Sequence, residues 1–419
     1  MKDLIKYYSK NNLITSKKIK YISNLYNQNP NKLLELYNEK FIRLIRNSYK
    51  KSAFYNALYK RHGINIEKIK DLSDINKLPI VRREDIKNKE NEIYIGSELF
   101  KIKGFTSGTT GSPLTVFRTP LDITTEHAYL RQYRMMHGFE NGDPLVSIRG
   151  KLGKDVNYDF DKNSNTLYIS SVNINQHTIE SYLSLIKDFK PKGIEAFPSY
   201  LFKLCIEIEK KKLSFNIPLS FTSSETMYEF QRSKIENLLQ TKIFDWYGNV
   251  ERTIGIAQDC HFNYYPLPLY SINEYMKDNI ITTSLINTHF PLIRYAVDDV
   301  INVKSTDFNK NIVSPEIINI KGRAGDTLEL KDGSSVGCID HAFKGIDYLE
   351  IAQVHQKNTL TPIEIKLVVD SPFQIQQENQ LKSNLVRMLG EETEITFTYC
   401  KRENLTYSAN EKYKLIIKK

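Results

Sequence analysis

The chain has 419 residues, 40% of them hydrophobic, with 20 Phe and 26 Tyr, which excludes both a small single-core module and wholesale disorder. Its formal charge of +10 is concentrated at one end: residues 1–70 hold 16 Lys or Arg against 4 Asp or Glu, a net of +12, so the remaining 349 residues sum to −2. No aromatic-basic nucleic-acid motif accompanies that charge, which leaves either a solvated helical face or an electrostatic footprint for an acidic partner or membrane surface.

Residues 12–62 carry helical periodicity, clearest where Leu33, Leu34, Tyr37, Phe41, Leu44 and Ile45 recur at three- and four-residue steps. They predict amphipathic helices packed on a larger core. From about residue 100 to 300, short β-rich runs alternate with helical stretches: GIEAFP precedes SYLFKLCIEIEKK, and IPLSFTS precedes YEFQRSKIENLL. This alternation predicts α/β layering. ITTSLIN and PLIRYAV read as strands, and VINVKSTDFNKNIVSPEIINIKG continues them. Beyond Gly322, the runs YLEIAQVHQ, TPIEIKLVVD, QENQLKSNLVRMLG and EITFTYC read as strand, strand, helix and strand, a small α+β domain. The expected division is 1–322, with a mainly helical leader over 1–100, followed by a mobile domain over 323–419. No apolar run approaches the roughly 18 residues that span a bilayer, and MKDLIKYYSK is charged where an export signal is apolar. Cys205, Cys260, Cys338 and Cys400 are too widely spaced for a CxxC pair, so the expected home is reducing cytoplasm.

The chemistry is densest at Thr106-Ser107-Gly108-Thr109-Thr110-Gly111-Ser112-Pro113. Two glycines free the backbone to present successive N–H groups, and the hydroxyls add donors, a combination suited to a polyphosphate. The Gly-Lys-Ser/Thr ending of a P-loop is absent. A surface turn rich in Ser, Thr and Gly is the alternative reading of the segment taken alone.

TSGTTGSP resembles the phosphate loop of the adenylate-forming superfamily, which includes acyl-CoA synthetases, peptide-synthetase adenylation domains and luciferases. The resemblance continues in order through SSET (223–226), WYGNVE (246–251), PLIRYAVDD (291–299) and KGRAGD (321–326). The leader SAFYNALYKRHG…LSDINKLPIVRREDI, the absence of Lys after Pro113 and the arginine in VSIRG are similar to the phenylacetate-CoA ligase branch, which also holds capsular polysaccharide biosynthesis proteins.

The resemblance implies a cytoplasmic ligase that joins a small-molecule carboxylate to AMP from ATP, with Mg²⁺ and release of pyrophosphate, then transfers the acyl group to CoA or to an amine or sugar acceptor. It implies no nucleic-acid partner and is compatible with a homodimer. Thr106, Ser107, Gly108, Thr109, Thr110 and Gly111 would cradle phosphate, with Thr109 catalytic. Tyr247 would lie against adenine, Gly248 and Asn249 would line the nucleotide, and Glu251 would ligate Mg²⁺. Ser224 and Glu225 would border adenine and acyl group. Asp299 aligns with the ribose-binding aspartate, but Asp298 stands where glycine is usual, which leaves open which of the two contacts ribose. Arg323 would reach ribose or phosphate, Asp326 would be the hinge, and Lys412, with Lys414 as competitor, would be the mobile lysine although the customary preceding glycine is missing. Cys260, His261, Cys338 and His341 are a conceivable zinc set. The acyl pocket would fall between about 130 and 250, with His137, Arg149, Phe197 and Tyr200 as candidates. The alternative is a non-catalytic nucleotide-binding scaffold that docks a partner through its basic N-terminus.

Overall fold

The computed structural model describes residues 12–106, 114–150, 152, 156–323, 328–331, 335–336, 339–343, 346–370, 373–390, 392–407 and 413–418. The fold is α/β, and the chain separates into two compact units: 1–143, 162–165 and 244–320 form the first, while 144–161, 166–243 and 321–419 form the second.

The first unit begins with helices Leu13–Tyr26, Pro30–Lys51 and Ala53–Arg61. Each starts on a polar side chain: Asn12, Asn29 and Ser52 accept backbone N–H groups of the first turn, which would otherwise lack partners. The second helix buries Tyr37, Phe41, Leu44, Ile45 and Ser48, the stripe that its periodicity predicts. These helices are bolted to the strands that follow far along the chain. The backbone N–H groups of Leu269 and Ile293 donate to the Tyr37 and Tyr55 hydroxyls, each at 2.9 Å. An antiparallel sheet runs in the order Ser271–Tyr275, Ile280–Ser284, Tyr295–Val297. Arg294, in left-handed backbone conformation with φ 51°, forms a buried bidentate pair with Glu274 at 3.0 and 2.8 Å and also donates to the Leu78 carbonyl.

One difference from the sequence reading lies between 299 and 323. The strands Asp299–Val303 and Ile317–Arg323 are separated by a helix, Phe308–Val313, capped by Asp307, whose side chain accepts the Lys310 N–H at 2.8 Å. The β-branched residues of that stretch hid a helix set by its cap.

The second unit holds a parallel sheet in the order Leu219–Ser223, Gly193–Ala196, Leu145–Arg149, Thr166–Ser170, with Tyr158–Asp161 antiparallel at one edge. Helices Ile179–Phe189 and Pro198–Lys210 share an apolar core with Val146, Ile148, Leu167, Ile169 and Ile194. Strands Leu349–Gln356 and Ile363–Val369, helix Ile375–Leu389 and strand Ile395–Tyr399 follow as the sequence predicts, with Ile416–Lys418 completing a four-stranded sheet. That α+β part has its own core, built on Val354, Ile365, Leu367, Leu381 and Leu385.

Candidate active site

In the first unit, Ile102–Phe105 and Thr115–Arg118 form an antiparallel stem with Phe105 opposite Thr115. Thr106 closes it: its N–H donates to the Leu114 carbonyl and its Oγ1 accepts the Leu114 N–H, both at 3.0 Å. Ser107, Gly108, Thr109, Thr110 and Gly111 lie outside the described residues. The Thr106 hydroxyl also accepts from Arg83 Nη1 at 3.2 Å, bringing a leader cation to the base of the loop. On the stem itself, a Cβ at Gly104 would meet Arg118 Nη2 at 2.7 Å. The bare glycine lets that guanidinium cross the strand and donate to the Val250 carbonyl at 2.6 Å. Neither arginine carries a local motif; only contacts from distant parts of the chain reveal them.

Val250 belongs to WYGNVE. The strand Lys242–Gly248 pairs with Gly255–Gln258, Gly248 facing Gly255, and the turn between them is locked by Asn249. Its amide donates to Thr253 Oγ1 at 2.7 Å and its carbonyl oxygen accepts the Thr253 N–H at 2.9 Å. A Cβ at Gly248 would meet the Trp246 indole nitrogen at 3.0 Å and the Ile254 carbonyl at 3.1 Å, so any side chain there would press on both neighbours. Tyr247 donates its hydroxyl to the Asp299 carboxylate. Glu251 is hydrogen-bonded to the Tyr295 side chain; burial first, and the Glu251 charge second, hold the Tyr295 hydroxyl well above its ordinary pKa. Arg252 adopts φ 61°, pairs with Glu126 and has its guanidinium pushed down to about 10 by burial. Three segments distant in sequence, the loop stem, WYGNVE and PLIRYAVDD, are thus linked by side chains within one unit. Asp299 is half-buried and Asp298 exposed. Only the former is tied to the tyrosine.

The remaining sequence-predicted residues belong to the second unit. Ser224 follows its strand with φ 71°, and its hydroxyl lies 3.3 Å from that of Ser223. Glu225 accepts the Ser199 N–H at 3.0 Å and the Ser199 hydroxyl at 3.1 Å, which secures the first turn of helix Pro198–Lys210. Lys412 and Asp326 lie outside the described residues, as does the side chain of Arg323. Tyr413, next to Lys412, is buried, donates to the Ala352 carbonyl and feels the charge of Glu225. Lys414 is half-buried, and its carbonyl accepts from Gln353. Cys260 is exposed, while Cys338 and the side chain of His341 are outside the described residues. Among the described residues no group of three or more His, Cys, Asp or Glu could hold a metal ion. His137, offered for the acyl pocket, stacks on Phe244 at 3.7 Å and donates from Nε2 to the Gln258 carbonyl at 3.0 Å. Burial lowers its pKa, as expected for a packing histidine.

Residues 328–419 match the CapK C-terminal domain family. Over 387 residues the chain is 24% identical to protein CapK of Staphylococcus aureus, covering 88% of this chain and 84% of that protein. It is 23% identical over 373 residues to a phenylacetate-coenzyme A ligase of Thermus thermophilus, with 82% of each covered. Along most of its length the chain is thus similar to the phenylacetate-CoA ligase and CapK-like branch of the adenylate-forming superfamily. Its fold is similar to that of 2-hydroxyisobutyryl-CoA ligase in complex with 2-HIB-AMP, with a TM-score of 0.72 at 13% identity, over 91% of this chain and 88% of that one. Among the described residues no helix is long and apolar enough to cross a membrane.

Proposed function

We propose that this protein activates a carboxylic acid with ATP, forming acyl-AMP and pyrophosphate, and passes the acyl group to a second nucleophile. The observation that supports the reading is the Tyr247–Asp299 bond, which joins the tyrosine we assign to adenine and the aspartate we assign to ribose. Adenylation gives a carboxylate oxygen a good leaving group, and the protein's task is to hold the reactants in line and stabilise charge on the α-phosphate. Thr106, Ser107, Gly108, Thr109, Thr110 and Gly111 hold the phosphates. Glu251, a hard oxygen donor, would hold a Mg²⁺. When bound, that ion would neutralise phosphate charge. Ser224 and Glu225 border adenine and acyl group, and Arg323 reaches ribose or phosphate. Lys412, carried by a domain over 323–419 that turns about Asp326, meets the α-phosphate.

The acceptor we favour is CoA, because relatives and fold neighbours are named as CoA ligases. An amine or sugar acceptor in surface polysaccharide biosynthesis is a second reading, favoured by the similarity to CapK. Pyrophosphate–ATP exchange tests the activation step. Glu251→Gln keeps the shape of the side chain and removes its charge, so exchange should fall by about 2 to 4 kcal/mol in barrier with an unchanged apo melting temperature. Full exchange at limiting Mg²⁺ in that variant would refute the assignment.

A further inference from the structure

The parallel sheet of the second unit contains a reversal that its strand order exposes. In chain order its parallel strands are Leu145–Arg149, Thr166–Ser170, Gly193–Ala196 and Leu219–Ser223, and the chain lays the second on one side of the first and the third on the other. The spatial order, second-first-third-fourth, puts a topological switch point between Leu145–Arg149 and Gly193–Ala196, and ligands of open parallel sheets bind in the crevice beyond the carboxyl ends of the strands at such a point.

That crevice is not apolar. In register, Ser147 pairs with Glu195 and Arg149 with Ser170, so all four belong to one face of the sheet. The other face, with Val146, Ile148, Leu167, Ile169 and Ile194, belongs to the core. Glu195 accepts from Ser147 Oγ at 2.7 Å and pairs through the same oxygen with Arg149 Nη2. Arg149 has 53% of its side chain exposed, and only one nitrogen of a guanidinium with five N–H donors meets the carboxylate. Ser170 is 1% exposed, and its hydroxyl has no hydrogen-bond partner among the described residues. Phe197 and Tyr200, ring centroids 5.0 Å apart, follow the third strand and pack with that core.

We propose that this crevice recognises the body of the substrate acid and selects a hydroxylated acid over its apolar counterpart. The inference rests on the adenylation reading only for the fate of the acid. A paired guanidinium and carboxylate present donors and an acceptor side by side with no net charge, which complements substrate hydroxyls, since each of these both donates and accepts. The buried Ser170 hydroxyl gains a partner in such a complex. An apolar acid would strip water from Arg149 and return nothing, leaving polar groups unpaired. Sites built to bond a hydroxyl discriminate strongly against analogues lacking it. With Arg149 half exposed the preference is the milder one, about 10- to 100-fold.

The test compares matched acids: quinate with cyclohexanecarboxylate, gluconate with hexanoate, and 3,4-dihydroxybenzoate with benzoate. Each is measured by pyrophosphate–ATP exchange and, independently, by calorimetric binding to the full chain. Wild type, Arg149→Met, Arg149→Lys and Ser170→Ala are compared, with circular dichroism melting as the folding control. At least one hydroxylated acid should exceed its apolar match by about 10-fold or more in both readouts. Arg149→Met should erase that preference, Arg149→Lys should restore part of it, and Ser170→Ala should reduce it. Equal or better use of the apolar acids, or a preference untouched by Arg149→Met in a folded protein, overturns the inference and leaves adenylation standing. Binding that follows the pattern with no exchange for any acid upholds the crevice and refutes adenylation. Neither binding nor exchange with any acid refutes both.

Discussion

Replacing Tyr247 with Phe keeps the ring that would lie against adenine and deletes only the hydroxyl that reaches Asp299. A hydrogen bond to a charged group contributes about 1.5 to 3 kcal/mol. Tyr247 and Asp299 are both half-buried, so water can partly replace the lost donor, and the expected cost is about 1 to 2 kcal/mol, or about 5- to 30-fold. Because the bond presents Asp299 to ribose in the proposed function, the loss should appear as a raised KM for ATP in pyrophosphate exchange. Asp299→Asn should act similarly, and the double variant should be little worse than either single one, giving a coupling energy close to the single effects. Asp298→Asn is the control, exposed and outside that bond, and should keep its ATP dependence within about twofold. Urea unfolding of each apo variant separates binding losses from stability losses. Additive single effects, or an Asp298→Asn defect as large as that of Asp299→Asn, would refute the argument that Asp299 is the positioned carboxylate.

Gly104→Ala puts a methyl group 2.7 Å from Arg118 Nη2. The guanidinium can swing away, so stability should drop by only about 1 kcal/mol while exchange falls; unchanged exchange would show that the Arg118–Val250 tie has no bearing on the site. His289 pairs with Asp122 at 2.9 Å, and that hydrogen bond, opposed by burial, raises its pKa above its ordinary 6.5. Its contribution is therefore full below 6.5 and is lost as pH rises through the raised folded value. The stability difference between wild type and His289→Gln should shrink as pH rises above 6.5, and a gap constant with pH would contradict it. Lys412→Ala should abolish exchange yet spare transfer from supplied acyl-AMP, because in the proposed function the lysine is needed only while α-phosphate charge develops; if Lys414→Ala behaves that way instead, the role moves two residues.

What was legible in the sequence was whatever depends on neighbours along the chain. The stripe Tyr37, Phe41, Leu44 and Ile45 gave its helix, and GIEAFP gave the strand Gly193–Ala196 ahead of helix Pro198–Lys210. Motif glycines were legible too, since Gly248 is fixed by contacts with Trp246 and Ile254 close beside it. Cross-chain partners were not. Arg83 and Thr106 are 23 residues apart, and Arg118 and Val250 are 132 apart. Nothing in PIVRRED or VFRTP distinguishes these arginines from solvated ones, because a guanidinium that bonds a distant hydroxyl or carbonyl needs no local pattern. The surroundings of His137 were equally hidden: its aromatic stacking on Phe244 depends on a strand more than a hundred residues downstream.

The helical leader then acquires a mechanical meaning that its charge obscured. Arg294 is held in the left-handed region by Glu274 on one side and by the Leu78 carbonyl of the leader on the other, and the next residue is Tyr295, the partner of Glu251. The Val81 N–H donates to the Arg294 carbonyl at 2.9 Å, and Val81 accepts the N–H of Ala296 at 2.9 Å, so the leader lies as a strand-like brace along the residues on either side of Tyr295. Breaking a buried pair by truncating one partner costs about 3 to 5 kcal/mol, enough to let Tyr295 shift. The leader's apolar face and its outward lysines therefore serve different ends: Tyr37, Tyr55 and Val81 fix the site's framework, while Lys17 and Lys20 are exposed. Neutralising those two lysines should leave exchange unchanged, whereas Tyr55→Phe, which removes the acceptor for the Ile293 N–H just before Arg294, should weaken both stability and exchange by about 1 to 3 kcal/mol.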